Sequence, residues 1–390
     1  MTTDNAITIV HLAVDYNTTY RARTTPAVEW FIDELAEFEH VIIALRRSTQ
    51  FPNTTQRCGR PGKHRVFDMP YFGLPFGIGL HKSLRRTARR IIGLLEEQAI
   101  RPDLIHAHKF SIEGLAGLYV ARHFGVPLFV SLRGEVETKI FRFKPALRPV
   151  LREIAAYATQ LYFVSAWFET EFRRQAPGLT AKERRLPNIV RNIHPGIFTH
   201  PANDQFLIAL NLDTHKRKGL RWLLDAVALA VHDEPDLCLD IVGGGAQRSI
   251  DTVIAMIETR GLQNNVRLVG QIPNNELLAR MAGYRGLALP SLNETFGMVY
   301  VEALFAGIPV IYTAGTAIDG YLDTLSVGIA VAPRDVGQIC AALLDIWRRN
   351  EVYRANIANV GSELFTIFDP ETHLAAYRAD VHNALMRADV

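Results

Sequence analysis

Two glutamates lie in an otherwise apolar stretch in the second half of the chain. Glu294 and Glu302 are separated by seven residues, and the segment 296–307 is apolar on nearly every side. A helix that is apolar all round is a buried helix, so we predict one from about Met298 to Ala306. A carboxylate at position 302 is costly there unless something binds it. Either an arginine or a backbone donor pairs with it, or it accepts hydrogen bonds from ligand hydroxyls, as a carboxylate does with a ribose.

The residues just before this predicted helix suit an anionic ligand. Glu294 is followed by Thr295 and Gly297. Free amide groups and the positive end of the helix dipole attract phosphate at a helix N-terminus. Because Gly297 has no side chain, a ligand can approach the backbone closely.

A pair of histidines ends a predicted strand in the first half. His106 and His108 are two residues apart, so strand alternation points both side chains to the same side. A metal pair is conceivable, but the sequence shows no third ligand nearby. We therefore predict no metal and interpret at least one of the two as a structural histidine.

Length and composition indicate a folded protein of two domains. The chain has 390 residues, of which 48% are apolar and 21% charged, which excludes disordered, collagen-like and coiled-coil chains. Cys58, Cys238 and Cys340 are far apart, so neither a disulfide framework nor a thiolate zinc site is indicated. We expect a reducing, cytoplasmic location, no signal peptide at this amino terminus, and no segment apolar enough to span a bilayer.

Strand-like and helical runs alternate through both halves of the chain. Continuous apolar strands between helices indicate parallel strands that are buried on both faces. The fold class is therefore α/β, with two Rossmann-like doubly wound domains that face a central cleft, where such sheets bind ligands. We interpret residues 50–79 as a long loop and 187–204 as a linker. The predicted domains are 1–195 and 196–368, followed by a helical segment, 369–390, that packs back on the first domain.

The charge is distributed unevenly between these halves. Residues 1–195 contain 28 basic and 18 acidic residues, a net charge of +10, whereas the remainder has a net charge of −7. Basic residues mixed with aromatic ones can bind an anionic membrane or a phosphate-bearing acceptor, or they form an ordinary solvated helix face. The whole chain is nearly neutral, which argues against nucleic acid as a partner. Much of the basic excess lies in two clusters: Lys82, Arg85, Arg86, Arg89 and Arg90, and then Lys139, Arg142, Lys144, Arg148 and Arg152.

The segment from Glu294 to Glu302 resembles the E-x7-E signature of retaining glycosyltransferases with the GT-B fold, most closely glycosyltransferase family 4. The similarity covers nearly the whole second domain and continues more weakly in the first. It is carried in the second domain by KRKG at 216–219, IVGGG at 241–245, NVRLVGQIP at 265–273 and LALPS at 287–291, and in the first by PDLIHAH at 102–108, GVPLFVSLRG at 125–134, FVS at 163–165 and LPN at 186–188.

The resemblance implies a donor site in the second domain. Lys218 would neutralise the nucleotide diphosphate, as a compact ammonium does well. The family's arginine five or six residues earlier is replaced by Leu212 and Asp213, so Lys216 or Arg217 would substitute for it.

In the same site Glu294 would hold the hydroxyls of the donor sugar and Glu302 the ribose. Backbone amides near the helix start would meet phosphate or sugar, and the glycine turn would approach the donor. The residues expected to bind in this way are Thr295, Phe296, Gly297, Met298 and Gly243.

The resemblance also places the acceptor in the first domain. Where family members carry His-Gly beside the reacting sugar, this chain has Arg133-Gly134, so Arg133 would act beside the leaving diphosphate or recognise an anionic acceptor, unless it is an ordinary loop arginine. His108 lies on this side as well. The family's Gly-Gly loop after the first strand is absent, and Thr24, Thr25 or Arg21 would take its place.

The implied activity is a retaining, metal-independent hexosyl transfer from a UDP- or GDP-sugar, without a further cofactor. The acceptor would be a glycan or lipid-linked intermediate of surface polysaccharide or glycoconjugate biosynthesis, and the protein would lie in the cytoplasm or at the inner face of the cytoplasmic membrane. Metal independence rests on the absence of an Asp-x-Asp motif. The alternatives are a catalytically idle GT-B partner subunit and a sugar-nucleotide epimerase on the same fold; an NAD-dependent dehydrogenase ranks lower, because no glycine-rich turn follows the first strand.

Overall fold

The computed structural model describes residues 6–18, 20, 25–50, 56–58, 64–74, 77–178, 182–191, 193, 203 and 205–388. The chain forms two compact units. Unit 1 contains Met1–Val164, Phe168–Ile189 and Pro370–Val390, and unit 2 contains Ser165–Trp167 and Val190–Asp369. Each helix in the described ranges is too short or too polar to cross a bilayer.

The described part of unit 1 is built on an eight-stranded sheet of order β3-β4-β2-β1-β5-β6-β7-β8. All neighbouring strands are parallel except β3 and β4. Parallel pairing follows from the helical connections between apolar strands, which carry the chain back to the same edge of the sheet. The strands are β1 (Thr8–Ala13), β2 (Glu39–Ser48), β3 (Gln56–Cys58), β4 (Arg65–Phe72), β5 (Leu104–Ala107), β6 (Leu128–Leu132), β7 (Gln160–Phe163) and β8 (Glu183–Arg185).

Helices cover this sheet, and the last helix of the chain belongs to the same unit. Helix α3 shows how the sequence sets its bounds: it ends where Gly125 adopts a φ of 69°, a left-handed conformation that glycine takes without strain. The helices of unit 1 are α1 (Ala27–Asp33), α2 (Leu80–Glu97), α3 (Ile112–Phe124), α4 (Glu135–Phe143), α5 (Arg148–Tyr157), α6 (Glu169–Gln175) and, at the end of the chain, α14 (Pro370–Ala388).

The prediction of a long loop over residues 50–79 is wrong for 56–58 and 65–72, which form strand β3 and the buried strand β4. The proline and basic residues suggested a loop, yet Pro70 is compatible with this strand. Among the residues that the structure describes, β3 pairs with β4 at Val66–Asp68, and Pro70 lies outside this paired stretch, where a missing amide hydrogen is tolerated. Helix α4 and strand β8 were also not predicted.

Unit 2 has a six-stranded parallel sheet of order β11-β10-β9-β12-β13-β14 in its described part. The prediction of two parallel-sheet α/β domains is therefore confirmed. The strands are β9 (Gln205–Ala209), β10 (Cys238–Val242), β11 (Val266–Gly270), β12 (Gly286–Ala288), β13 (Val310–Thr313) and β14 (Gly328–Val331), and the helices are α7 (Leu220–Asp233), α8 (Gln247–Glu258), α9 (Asn274–Met281), α10 (Met298–Phe305), α11 (Val336–Arg348), α12 (Asn350–Asn359) and α13 (Gly361–Phe368).

The core of unit 1 includes one face of the final helix. Leu374, Tyr377, Val381 and Ala384 of α14 are buried in the same cluster as residues of β1 and β2. Their spacing of three or four residues places them on one side of the helix. The segment after the second sheet thus completes the core of the first unit.

Candidate functional site

The centre of the candidate site in unit 2 is an ion pair between two loops. The ammonium of Lys218 donates to Oε2 of Glu294, and each side chain is 15% exposed. Nη1 of Arg217 lies 3.9 Å from the same oxygen, and the hydroxyl of Ser291 donates to it over 3.4 Å. Within the described residues, no donor is found for the other oxygen, Oε1. The carboxylate of Glu294 is therefore held through Oε2, and Oε1 is left to accept a hydrogen bond from a ligand. The two cations beside it, Lys218 and Arg217, suit a ligand with two negative charges.

A glycine brings the lysine to this position. Gly219 begins helix α7 with a φ of 76°, and a Cβ atom there would collide with the carbonyl oxygen of Pro290 in the loop after β12. Only glycine combines this conformation with so close an approach of two backbones. The close contact holds Lys218 against the loop that carries Glu294.

The backbone around Glu294 is held by hydrogen bonds on both sides. Its amide donates to Oγ1 of Thr316 over 2.8 Å, and its carbonyl accepts from the amide of Ala317 over 2.9 Å. The carbonyl of Thr295 accepts from the hydroxyl of Ser165 over 2.7 Å and from Nε1 of Trp167 over 3.3 Å. The carboxylate therefore extends from a rigid loop.

Helix α10 begins immediately after this loop. Gly297 precedes it with a φ of 74°, and no side chain caps the first turn, so the amides near Met298 keep their polarity for another partner. Phe296 is fully buried, with its ring edge-to-face against Tyr321. Its side chain therefore belongs to the core, and only its backbone can serve the site.

Glu302 lies on the partly accessible face of α10, whereas Tyr300, Val301, Ala303 and Leu304 are buried. Its carboxylate is hydrogen-bonded to the side chain of Asn274, and burial raises its pKa above the usual value. Among the described residues, no arginine, lysine or histidine forms an ion pair with it. The sequence left open whether Glu302 pairs with an arginine or binds ligand hydroxyls. Within these ranges no arginine pairs with it, and its partner is the side-chain amide of Asn274.

The carboxylate of Asp213 binds the end of the glycine turn that follows β10. Gly243 has a φ of 148°, and a Cβ atom there would collide with the carbonyl oxygen of Leu210. Oδ1 of Asp213 accepts from the amide of Ala246, which immediately precedes helix α8, over 2.8 Å. The position at which the resemblance implies an arginine therefore holds an acid that binds the start of a helix.

In unit 1 two of the predicted residues, His108 and Arg133, line a small cleft at the carboxyl ends of β5 and β6. Arg133 is 7% exposed; its Nε donates to the carbonyl of His108 over 2.9 Å and its Nη1 to Oδ1 of Asn188 over 3.3 Å. Burial lowers the pKa of this guanidinium, while Asp15, Glu113 and Glu137 raise it. The lining of the cleft is formed by Ala27, Val28, Phe31, His106, His108, Ser131, Arg133, Val164, Leu186, Pro187, Asn188 and Ile189.

The remaining predicted acceptor-side positions differ in where they lie. Gly134 is buried at the start of α4 with a φ of 80°. Thr25 is exposed just before α1. Arg21 and Thr24 lie outside the described residues.

Histidines from three strands meet beside this cleft. The rings of His106 and His108 stack with centroids 4.1 Å apart, as alternation predicted for a common side. Nδ1 of His11 lies 3.0 Å from Nε2 of His108, and Nε2 of His11 lies 2.9 Å from Nδ1 of His40. Nε2 of His40 donates to the carbonyl of Leu35 over 2.7 Å. We call His40, His11 and His108 the histidine row.

These rings are held in their neutral form by burial. Desolvation lowers the pKa values of His11, His40 and His108, and it lowers that of His106 to about 3. One nitrogen atom from each of His11, His106 and His108 lies within 4.8 Å of the others, so His11 is the third neighbouring histidine that the sequence did not reveal. Both nitrogens of His11 are already hydrogen-bonded to His108 and His40.

A buried acid lies next to the cleft. Oε1 of Glu113 accepts from the amide of Val14 over 2.8 Å, whereas Oε2 is buried with no hydrogen-bond partner among the described residues. Burial raises the pKa of Glu113 to about 7, although Lys109 lowers it. This carboxyl group therefore exchanges a proton near neutral pH.

Sequence reasoning did not find His11, His40, Glu113 or Asn274. A weak signal existed for His11, a polar residue between apolar neighbours in β1 that parallel register places beside His106. His40 follows Glu39 at the polar start of β2 and gave no such signal. Glu113 precedes the apolar run GLAGLYV of α3, so its signal resembled that of Glu302 but was not used. For Asn274, which begins α9 among polar residues, we find no comparable signal.

Two family models match most of the chain. The model described as "Glycosyl transferase 4-like domain" matches residues 24–188, and the one described as "Glycosyl transferases group 1" matches residues 203–349. Among curated proteins, the chain is 29% identical over 249 residues to the D-inositol 3-phosphate glycosyltransferase of Jonesia denitrificans. That match covers 56% of this chain and 58% of the relative's length.

Two solved structures resemble the fold over almost its whole length. Sucrose-phosphate synthase from Thermosynechococcus elongatus matches with a TM-score of 0.71 and 19% identity, covering 98% of this chain and 100% of that chain. The Anabaena protein HepE in complex with UDP matches with a TM-score of 0.69 and 17% identity, covering 97% and 100%.

Proposed function

We propose that this chain, which belongs to the GT-B glycosyltransferases resembling family 4, transfers a sugar from a nucleotide diphosphate donor to a hydroxyl group of its acceptor. One observation carries the proposal: the Lys218–Glu294 pair lies at the uncapped start of α10, and Glu302, which has no cationic partner among the described residues, lies on the same helix. A nucleotide sugar needs a cation for its diphosphate and acceptors for its hydroxyls, and these residues supply both.

Each residue has a distinct part in this proposal. Lys218 and Arg217 neutralise the diphosphate, together with the amides at the start of α10. Glu294 accepts hydroxyl hydrogens of the donor sugar through Oε1, and Glu302 accepts those of the ribose. UDP is the first nucleotide to test, because HepE, whose fold this chain resembles, forms a complex with it.

We propose retention of configuration at the transferred sugar. The acceptor hydroxyl approaches the face from which the diphosphate departs, and a phosphate oxygen takes its proton as the new glycosidic bond forms and the old one breaks. Lys218 and Arg217 stabilise the negative charge that develops on the leaving group. The proposed step forms no bond between the sugar and the protein, and it uses these cations rather than a metal ion.

The donor site is tested by thermal unfolding with UDP, GDP, ADP and CDP. We expect one nucleotide to raise the Tm of the wild-type protein, since a ligand that binds only the folded state stabilises it. In Glu302→Gln the shift falls strongly, because a hydrogen bond to a charged group contributes about 2 kcal/mol. Glu363→Gln, at an exposed position of α13, is the matched control and keeps the full shift. A wild-type protein that responds to none of the four nucleotides contradicts the proposal.

A second candidate function, a catalytically idle partner subunit, is favoured by Asp213. Its carboxylate lies at the start of α8, and a second anion at this place would be repelled. Slow release of nucleotide from a donor sugar by the wild-type protein argues for the transferase. Binding without any turnover argues for the partner subunit.

The acceptor that we propose is an anionic or lipid-linked glycan intermediate in surface polysaccharide or glycoconjugate biosynthesis, reached at the inner face of the cytoplasmic membrane. Two apolar side chains of unit 1 support this, since Ile78 is 64% and Phe143 is 68% exposed. Gly77 packs against the ammonium of Lys144. Ile78 and Phe143, which are next to these residues in the chain, therefore lie on neighbouring segments. Helices α2 and α4, which follow Ile78 and contain Phe143, carry the exposed basic residues Lys82, Arg85, Arg86, Arg89, Lys139 and Arg142.

Sedimentation with vesicles tests this membrane contact. Binding should need anionic lipid and fall with added salt, because the basic residues act through screened charge. Phe143→Ser should weaken it, whereas Val352→Ser, at an exposed apolar position of unit 2, should not. Equal binding to neutral vesicles, or none to anionic ones, contradicts the membrane proposal without touching the donor site.

A further inference from the structure

The histidine row has a fixed direction of hydrogen bonding. A carbonyl oxygen can only accept, so Nε2 of His40, 2.7 Å from the carbonyl of Leu35, carries the proton. A neutral imidazole has one donor and one acceptor nitrogen. Nδ1 of His40 is therefore an acceptor.

The same reasoning continues along the row. Nε2 of His11 must donate to Nδ1 of His40, and Nδ1 of His11 must then accept from Nε2 of His108. His108 consequently carries its proton on Nε2 and a lone pair on Nδ1. The lowered pKa values of all three rings are consistent with their neutral form.

The free end of the row lies at the cleft. His108 lines it together with Ser131, Arg133 and Asn188, and no hydrogen bond to its Nδ1 is found in the described ranges. The neighbouring ring of His106 is already used on both sides, with Nε2 3.0 Å from Oγ of Ser131 and Nδ1 3.0 Å from the hydroxyl of Tyr377. His106 therefore supports the ring of His108 by stacking without supplying a partner for its lone pair.

We propose that the histidine row fixes Nδ1 of His108 as the acceptor of a hydrogen bond from a hydroxyl of the sugar acceptor, next to an anionic group that Arg133 binds. The inference rests on the proposed function and adds the chemistry that the first unit recognises: a hydroxyl beside a phosphate. His40 and His11 are positioning residues, because they act through His108. A protonated Nδ1 could only donate, so it would leave the hydrogen of that hydroxyl without an acceptor.

The tautomer is measured directly in the full chain labelled with ¹⁵N at histidine. Long-range ¹H–¹⁵N correlations distinguish the protonated from the unprotonated nitrogen of each ring, and His108→Gln identifies the signals of His108. We expect Nδ1 of His108 to be unprotonated. A protonated Nδ1 in the wild-type protein overturns the proposal.

Two variants at position 40 distinguish the direction of hydrogen bonding in the histidine row from the packing of the ring of His40. In His40→Asn the amide oxygen replaces Nδ1 and still accepts from His11, so His108 keeps its tautomer. In His40→Leu that acceptor is lost, and the Nδ1 signal of His108 should move towards the protonated form. An unchanged tautomer in a folded His40→Leu variant shows that the row does not set it and overturns the proposal.

Binding is tested with three small probes: inositol 3-phosphate, inositol and inorganic phosphate. We expect inositol 3-phosphate to shift the Nδ1 signal of His108 and the other two to do so more weakly. His108→Gln, whose amide still donates to His11, should raise the dissociation constant of inositol 3-phosphate about tenfold, the effect of one hydrogen bond. No shift with any probe, or equal affinity in the variant, overturns the subsite, while nucleotide-dependent unfolding reports on the donor site independently.

Discussion

The polar groups of the two candidate sites differ in charge and in burial. In unit 2, Lys218 and Glu294 form an ionic pair that is 15% exposed on each side. In unit 1, His11, His106 and His108 are almost completely buried, neutral and hydrogen-bonded to one another or to hydroxyl groups. Full charges near the surface suit a charged ligand, whereas neutral groups in a dry environment suit discrimination between hydroxyls.

The largest expected effect concerns the backbone contact that builds the ionic site. In Gly219→Ala the new Cβ collides with the carbonyl of Pro290 while the residue keeps a positive φ, and we expect a loss of about 4 kcal/mol of unfolding free energy. Nucleotide binding should disappear with it. Denaturant unfolding measures the first effect and thermal shift the second.

Gly261→Ala is the control for this substitution. Its φ is 67°, but nothing lies within 4 Å of a Cβ atom there. We expect it to cost about 1 kcal/mol from the backbone conformation alone. Equal losses in both variants would mean that the contact with Pro290 contributes nothing.

The next effect removes the partly buried ammonium of Lys218 in unit 2. Lys218→Gln takes away the charge that faces Glu294 and the leaving diphosphate, and we expect kcat to fall roughly 100- to 1000-fold, as when one preorganised stabilising group is lost. Lys216→Gln, two residues earlier and exposed, should leave kcat within about twofold. Similar rates for the two variants would assign the neutralising role to another group.

Only part of this contrast could be predicted from the sequence. Helix α10 and its glutamates follow from the apolar pattern, and the common side of His106 and His108 follows from strand alternation. The Lys218–Glu294 bond joins residues that are 76 positions apart, and the histidine row joins three strands. Such pairs depend on sheet order and register, which local patterns do not specify. Strand β4 was missed because Pro70 suggests a loop, whereas in the described residues it lies outside the stretch that pairs with β3.

A smaller effect tests the dry environment of unit 1 through Glu113. Its pKa rises from 4.5 to about 7 on folding, so the native state keeps a proton that the unfolded chain releases in this window. The stability that this group contributes is present below pH 4.5 and is lost as the pH rises to about 7. Glu113→Gln should therefore gain stability relative to the wild-type protein on going from pH 5 to pH 8, by about 2 kcal/mol.

Hydrogen exchange in β1 and β5, measured at several pH values, provides the readout for Glu113→Gln. Glu97→Gln, at an exposed position of α2, should follow the wild-type pH dependence. The buried histidines have the opposite effect on the pH dependence of stability, because their pKa values are lowered. Below pH 6.5 the unfolded chain binds protons that the native rings do not, so stability falls as the pH drops. A parallel pH dependence in Glu113→Gln and the wild-type protein would show that this carboxyl group titrates normally.

The smallest effect distinguishes the two cations of unit 2. Arg217 is 41% exposed and 3.9 Å from Glu294, and its Nη1 donates to the carbonyl of Asn293 over 2.7 Å. Because water and salt screen an exposed charge, we expect Arg217→Gln to weaken nucleotide diphosphate binding by about 0.5 kcal/mol, and by less at high salt. The effect of Lys218→Gln should persist in salt, because that ammonium is mostly buried. Titrations of nucleotide diphosphate into both variants at low and high ionic strength measure this difference. Equal salt sensitivity would mean that burial does not protect the charge of Lys218 from screening. The contrast between an ionic and a dry site would then rest on unit 1 alone.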